Sequence, residues 1–243
     1  MKCPGQDRAY WHGERVFEVP CVKCGGKVEF FRDEVSRRCS QCSTRLNNPR
    51  VALDCATWCD QAESCMGLSR SRIAAIGQGN TALAGKLIEA LEEAIPDEPD
   101  RVHRALLVFQ HARELAPAAP LPPVTLLSAA LLLELSHSPQ ARTGDPAGEA
   151  AVREVLARAL LDEETIGAIT TLIDDFWKDR FSVRPEIQFL HDSVALAEMS
   201  LAHPSAGEDI ERQIQERLRT EAARAWARSL FLAPADAAAG SNG

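Results

Sequence analysis

Eight cysteines carry the densest chemistry in this 243-residue chain, and all of them lie between Cys3 and Cys65. Cys21-Val22-Lys23-Cys24 and Cys39-Ser40-Gln41-Cys42 form two C-x-x-C pairs with fourteen residues between them. Thiolates in that order suit a zinc ribbon, in which each pair sits on a tight turn and four sulfurs close a tetrahedron. Gly25-Gly26 follows the first pair, where backbone amides must turn towards sulfur and a positive φ is easily adopted. Lys27-Val28-Glu29-Phe30-Phe31 reads as a short strand leading away. A redox dithiol needs one C-x-x-C at a helix start, not two in ribbon order. The expected cofactor is therefore structural zinc on Cys21, Cys24, Cys39 and Cys42. A closed four-thiolate site leaves no position for a substrate.

Cys3, Cys55, Cys59 and Cys65 remain, the last three in a C-x3-C-x5-C cluster. On a helix Cys55 and Cys59 share one face, with Cys65 just beyond its end and Cys3 returning as a fourth ligand. Four thiolates hold either an iron–sulfur cluster or a second zinc. The uneven spacing, and Trp58 as a shield against water, favour the cluster. The plain alternative is free, partly buried cysteines.

Metal chemistry on thiols presupposes a reducing compartment, and the expected localisation is cytoplasmic. The opening Met1-Lys2-Cys3-Pro4-Gly5-Gln6-Asp7 continues into polar and charged residues, which predicts no signal peptide. The longest apolar stretch, Leu126 to Leu135, is interrupted by Ser128 and Glu134 and falls short of the ~20 residues that span a bilayer. The expectation is thus no membrane association. Lys plus Arg number 27 against 35 Asp plus Glu, for a net charge of −8. That balance opposes binding to a phosphate backbone and makes nucleic acid an unexpected partner. Arg37, Arg38 and Arg45 form only a modest basic patch, without the interleaved aromatics of a single-strand binder.

The elements that must position this chemistry divide with the cysteines. Residues 1–66 hold ten Lys/Arg against nine Asp/Glu, so the acidic excess belongs to the Cys-free remainder. The predicted organisation is a Cys-rich metal-binding domain over 1–66, a helical domain over 67–233 and a tail over 234–243. The fold class is mainly α. Leu83, Leu87, Ile88 and Leu91 recur at helical steps and end at Ile95-Pro96. Asp100 is placed to cap a second helix that stops at Pro117, and a third covers Val124 to Leu135. Ser136–Gly148 reads as a loop. Further helices are predicted over Ala150–Ala159, Asp162–Lys178, Pro185–Ala202 and Glu208–Phe231, the last as one packed terminal helix. Gly77-Gln78-Gly79 has no preceding strand, and Gly79 and Gly85-Lys86 lack phosphate-loop spacing.

Three of these helices carry a resemblance. Asp100-Arg101-Val102-His103-Arg104-Ala105-Leu106-Leu107-Val108-Phe109-Gln110-His111-Ala112 resembles the first motif helix of the HD-domain metal-dependent phosphohydrolases. Ala129-Ala130-Leu131-Leu132-Leu133-Glu134-Leu135 resembles the next, and Ile187-Gln188-Phe189-Leu190-His191-Asp192-Ser193-Val194-Ala195-Leu196 the last. The Cys-rich segment is similar to one fused to a bacterial branch of that family. The resemblance implies an all-helical HD-like domain with metal ligands at His103, at Leu133-Glu134 and at Asp192. A register one residue later would put Arg104 in the place of His103.

An HD site needs two His and two Asp around a divalent metal that activates water and neutralises a phosphate. Leu133 stands where the resemblance asks for His, and Glu134 where it asks for Asp. Leu172-Ile173-Asp174-Asp175-Phe176-Trp177 lacks the extra His of relatives with a second metal. Losing a ligand costs more than the ~10–100-fold of an outer-shell loss, which argues against a divalent metal at the remnant. His191-Asp192 imitates the central metal pair but falls too late in the chain. His103 serves equally as a hydrogen-bonded core residue, with Asp192 paired to it or to an Arg. The reading is a non-catalytic, regulatory metal-binding protein with a degenerate HD-like domain. The expected partners are a protein, docked on the helical domain, and a phosphorylated small-molecule ligand. The alternative is an active phosphohydrolase built on His103, Glu134 and Asp192 with His137 or His191.

Overall fold

The structure is a computed structural model that describes residues 16–31, 34–50, 81–136, 146–179, 182–202 and 208–232. Cys3, Cys55, Cys59, Cys65, His137, the boundary near Gly67 and the tail over 234–243 lie outside the described residues. The described chain is mainly helical, with short strands at its N-terminal side.

Two hairpins make the Cys-rich part. β1 (Val16–Pro20) pairs antiparallel with β2 (Lys27–Phe31), and β3 (Ser36–Arg38) with β4 (Arg45–Asn47). Strand alternation explains what each buries: Phe17 and Val19 face Phe30 and Val28 across the ladder. Leu46, Cys21 and Cys39 complete this small core. A core of that size cannot offset the conformational entropy of ordering the segment, so a further staple is required.

The helical part gathers around one element. α1 (Thr81–Ala94) is followed by α2 (Pro99–Leu115), a 3-10 turn (Ala116–Ala118) and α3 (Pro123–Leu132). Then come α4 (Pro146–Arg158), α5 (Glu163–Lys178) and α6 (Pro185–Leu201). The chain closes with α7 (Glu208–Arg217), α8 (Glu221–Ala227) and a π turn over Arg228–Leu232. α2 packs on α3, on α6 and on β1. α3 is apolar on every side because α1, α2, α5 and α6 enclose it. α5 is amphipathic, with Ile166, Ile169, Leu172, Ile173 and Phe176 inward. Its first turn is capped by Asp162, which accepts from the Thr165 N–H at 2.8 Å.

Four helix boundaries differ from the sequence expectation. α2 begins at Pro99, so Asp100 lies inside its first turn and does not cap it. α3 ends at Leu132, which leaves Leu133 as its C-cap and Glu134 beyond it. α4 starts at Pro146, inside the expected loop, again with proline at the helix start. The single terminal helix is broken between Arg217 and Glu221. The cause of the break lies 27 residues upstream. The Asp192 carboxylate on α6 accepts the backbone N–H groups of Arg219 and Thr220, each at 2.8 Å. It also accepts the Thr220 hydroxyl at 2.6 Å, while Thr220 Oγ1 accepts from the Ala223 N–H and caps α8. Two amides pledged to a side chain cannot continue a helical ladder.

Among the described residues no helix is long and apolar enough to cross a membrane.

Candidate metal centre

The cysteines come together because each C-x-x-C forms the turn of a hairpin. In the first knuckle the Cys21 N–H donates to Gly26 O and the Gly25 N–H to Cys21 O, both at 2.8 Å. The second repeats this, with the Cys39 N–H on Thr44 O and the Ser43 N–H on Cys39 O. Each turn needs a left-handed residue just after its second cysteine: Gly25 at φ 64° and Ser43 at φ 60°. The two turns face each other and bring the four sulfurs within 4.8 Å of one another.

Zinc fits this set. Cys21 Sγ lies 3.5 Å from Cys42 Sγ, and Cys24 Sγ 3.7 Å from Cys39 Sγ. Bonds of about 2.3 Å arranged as a tetrahedron put sulfurs about 3.8 Å apart, which is close to both spacings. The thiols are free rather than disulfide-bonded. Burial pushes the Cys21 thiol far up, and lifts Cys24 to about 11. Burial also opposes ionisation of Cys42, but hydrogen bonds from the Thr44 hydroxyl and amide, and from Cys21 and Cys24, outweigh it and bring Cys42 down to about 7. Burial thus works against ionising Cys21 and Cys24, a cost that a bound cation would offset. Among the described residues this is the group of His, Cys, Asp and Glu side chains that converges tightly enough for a metal ion.

The first knuckle does not stand alone. Three of its backbone carbonyls accept hydrogen bonds from side chains of the helical part. Gln110 Nε2 of α2 donates to Pro20 O at 2.9 Å, and His103 Nε2 of α2 to Gly25 O at 2.9 Å. Ser200 Oγ of α6 donates to Val22 O at 2.5 Å. Val22 itself sits in the helical core rather than in that of the ribbon. A separate tether is Arg50, whose guanidinium lies 4.4 Å over the Phe17 ring and pairs with Glu92 of α1.

Behind Ser200 the polar chain continues inward. His111 Nε2 lies 3.1 Å from Ser200 Oγ, and Trp226 Nε1 of α8 donates to His111 Nδ1 at 3.2 Å. An indole nitrogen only donates, so Nδ1 accepts and the ring proton sits on Nε2. The direction runs from Trp226 through His111 and Ser200 to Val22. That tautomer also disqualifies the pair as a catalytic dyad, because Nε2 cannot take the serine proton. His111 and Ser200 are moreover fully buried. Burial depresses the His111 pKa to about 3, which keeps the ring neutral.

These residues escaped the sequence reading, although Gln110-His111 interrupts an otherwise apolar run in α2. Consecutive polar side chains with apolar neighbours on both sides are the available signal. Such groups are buried only when partnered.

The positions of the hydrolase resemblance are each engaged separately. His103 holds Gly25 of the ribbon, and burial lowers its pKa. Leu133 packs in the helical core at 3% exposure. Glu134 forms ion pairs with Arg101 at 3.9 Å and Arg104 at 3.8 Å. Asp192 holds the α7–α8 break; burial raises its pKa while its three donors from Arg219 and Thr220 work the other way. Of the two expected partners it is an arginine, Arg219, that it meets, through the backbone N–H and through charge, and not His103, which holds Gly25. His191 lies 4.4 Å from the Phe176 ring, and its Nε2 contacts Asp179 O at 3.4 Å. Asp174 and Asp175 are paired with Lys178 and Arg184, each at 2.5 Å. Of the basic patch, Arg37 lies over Phe31 and reaches Glu29 O, Arg38 reaches Ser43 O, and Arg45 reaches Ser36 Oγ.

No protein-family model, no curated protein and no solved structure matches the chain.

Proposed function

We propose that this chain is a zinc-binding, non-catalytic regulatory protein, in which a four-cysteine ribbon is docked on a helical body that engages a protein partner. The observation that carries the reading is the convergence of the Cys21, Cys24, Cys39 and Cys42 sulfurs at zinc-like spacing. Four thiolates saturate zinc, so its role there is to fix the fold and not to activate water. The same reading treats the helical body as an HD-like scaffold that has lost its hydrolase centre. Supporting that part are Leu133 in the core and the separate engagements of His103, Glu134 and Asp192. A reducing, cytoplasmic setting belongs to the reading because it keeps four thiols available.

The test pairs metal analysis with turnover. Purified full-length protein should carry zinc that depends on the quartet, and should not hydrolyse nucleotides or phosphomonoesters with added Mn2+ or Mg2+. Hydrolysis abolished by His103→Ala and by Asp192→Ala would overturn the non-catalytic assignment.

A further inference from the structure

The geometry points to a metal site that extends into the helical domain: Gln110, Ser200 and His103 position the first knuckle, so that zinc affinity and ribbon docking are one linked equilibrium. This inference rests on zinc being the occupant of the quartet.

Three observations carry it. The carbonyls of Pro20, Val22 and Gly25 are claimed within six residues of chain, and all three donors come from α2 or α6. These carbonyls flank or lie between Cys21 and Cys24, so their directions follow the turn that aims those two sulfurs. The fit is also steric. A Cβ on Gly25 would stand 3.1 Å from Leu201 Cδ2 and 3.3 Å from Ser200 O, so α6 occupies the space a side chain would need. Finally, the donors are themselves fixed. Gln110 is 2% exposed, and Ser200 is held by His111 and, through it, Trp226.

Outer-shell groups that orient metal ligands tune affinity, typically by about 10–100-fold. Here the outer shell belongs to a different part of the chain from the ligands. By reciprocity, whatever docking contributes to zinc affinity, zinc contributes to docking. Zinc loss should therefore loosen α6 around Ser200 and α2 around His103 and Gln110, and not the ribbon alone.

Hydrogen–deuterium exchange on the full chain tests this, comparing the zinc-loaded protein with its Cys39→Ser variant. Cys39 lies in the ribbon's own core and belongs to the second knuckle, so the substitution removes a metal ligand without touching the Pro20, Val22 and Gly25 carbonyls or their donors. The expected result is several-fold faster exchange over 196–202 and 103–112, with α5 unchanged. In parallel, Ser200→Ala and Gln110→Leu should each weaken zinc binding roughly 10-fold in competition with a chromophoric chelator. Arg153→Ala, on a surface ion pair of α4, should leave it at the wild-type value. Unchanged α2 and α6 exchange in Cys39→Ser, or wild-type zinc affinity in both variants, overturns the linkage. Should a variant lose α5 protection, the Cys39→Ser exchange comparison decides by itself. If the wild-type chain carries no more zinc than Cys39→Ser, the zinc reading itself fails; if it carries more and the helices do not respond, only the linkage fails.

Discussion

Cys21–Gly26 and Cys39–Thr44 make the same two backbone hydrogen bonds, place the same left-handed residue after the second cysteine, and supply two sulfurs each to one centre. Their surroundings differ. The first knuckle is pressed against α2 and α6, and its left-handed residue is a glycine with Leu201 Cδ2 only 3.1 Å from where a Cβ would stand. The second turns Ser40, Gln41 and Ser43 to solvent, and its left-handed residue keeps a side chain. Equal turn geometry with unequal packing separates two demands on the same motif. Ligand aim needs the turn; docking needs the glycine. The first knuckle answers both, and the second only the first.

The largest effect should come from removing a ligand. Cys39→Ser and Cys21→Ser should each lower zinc affinity more than about 100-fold, beyond the cost of an outer-shell loss, as measured by chelator competition. The two substitutions should be alike in that assay. A Cys21→Ser chain with wild-type affinity would break the equivalence of the knuckles.

Next in size is the pair that separates aim from docking. Gly25→Ala imposes the left-handed penalty and drives a methyl against Leu201, at a cost of about 2 kcal/mol in denaturant unfolding. Ser43→Ala changes neither the backbone penalty nor a packed contact, and should stay within about 0.5 kcal/mol of wild type. Equal costs at the two positions would remove the distinction between them.

Acid should act from the docked side. His111 is held near pKa 3 by burial, against about 6.5 in an unfolded chain. The unfolded state then binds more protons between those values, so stability is complete above about pH 6.5 and falls as pH is lowered towards 3. This group alone contributes a slope of up to about 1.4 kcal/mol per pH unit. Zinc release adds its own acid sensitivity, so the comparison is with His111→Gln. That variant should lose the His111 share of the slope in unfolding titrations at pH 7, 6 and 5. Identical slopes would mean that His111 is charged or solvated in the native state.

The smallest expected effect is a gain. Ser43→Gly relieves a left-handed serine at an exposed position, less the entropy that glycine loses on folding, for a net of about 0.5 kcal/mol. A loss of stability would show that the Ser43 side chain has a role the geometry does not display.

The metal centre was legible because its ligands come in local pairs, where two-residue spacing and a following Gly-Gly encode the turn. Helix cores were legible for a similar reason: Leu83, Leu87, Ile88 and Leu91 repeat at the helical period. Docking was not legible. It joins backbone carbonyls, which every residue possesses, to Gln110 and Ser200 at separations of 90 and 178 residues. The break after Arg217 was hidden in the same way, since Leu218-Arg219-Thr220 contains neither Gly nor Pro and the interruption is imposed by Asp192. The hydrolase resemblance shows a further difficulty. Ala129-Ala130-Leu131-Leu132-Leu133 is also what any fully enclosed helix requires, and all five residues are buried here. A short motif made mostly of core residues carries its chemistry in the one or two polar positions alone, and those positions in this chain have other partners.

The most direct measurement is zinc content per chain for the wild-type protein beside a Cys21→Ser/Cys39→Ser double variant, both purified in reducing buffer. Because the remaining cysteines are common to both, the difference reports the quartet. The account predicts a difference of one zinc per chain. Equal zinc content in the two proteins would contradict it.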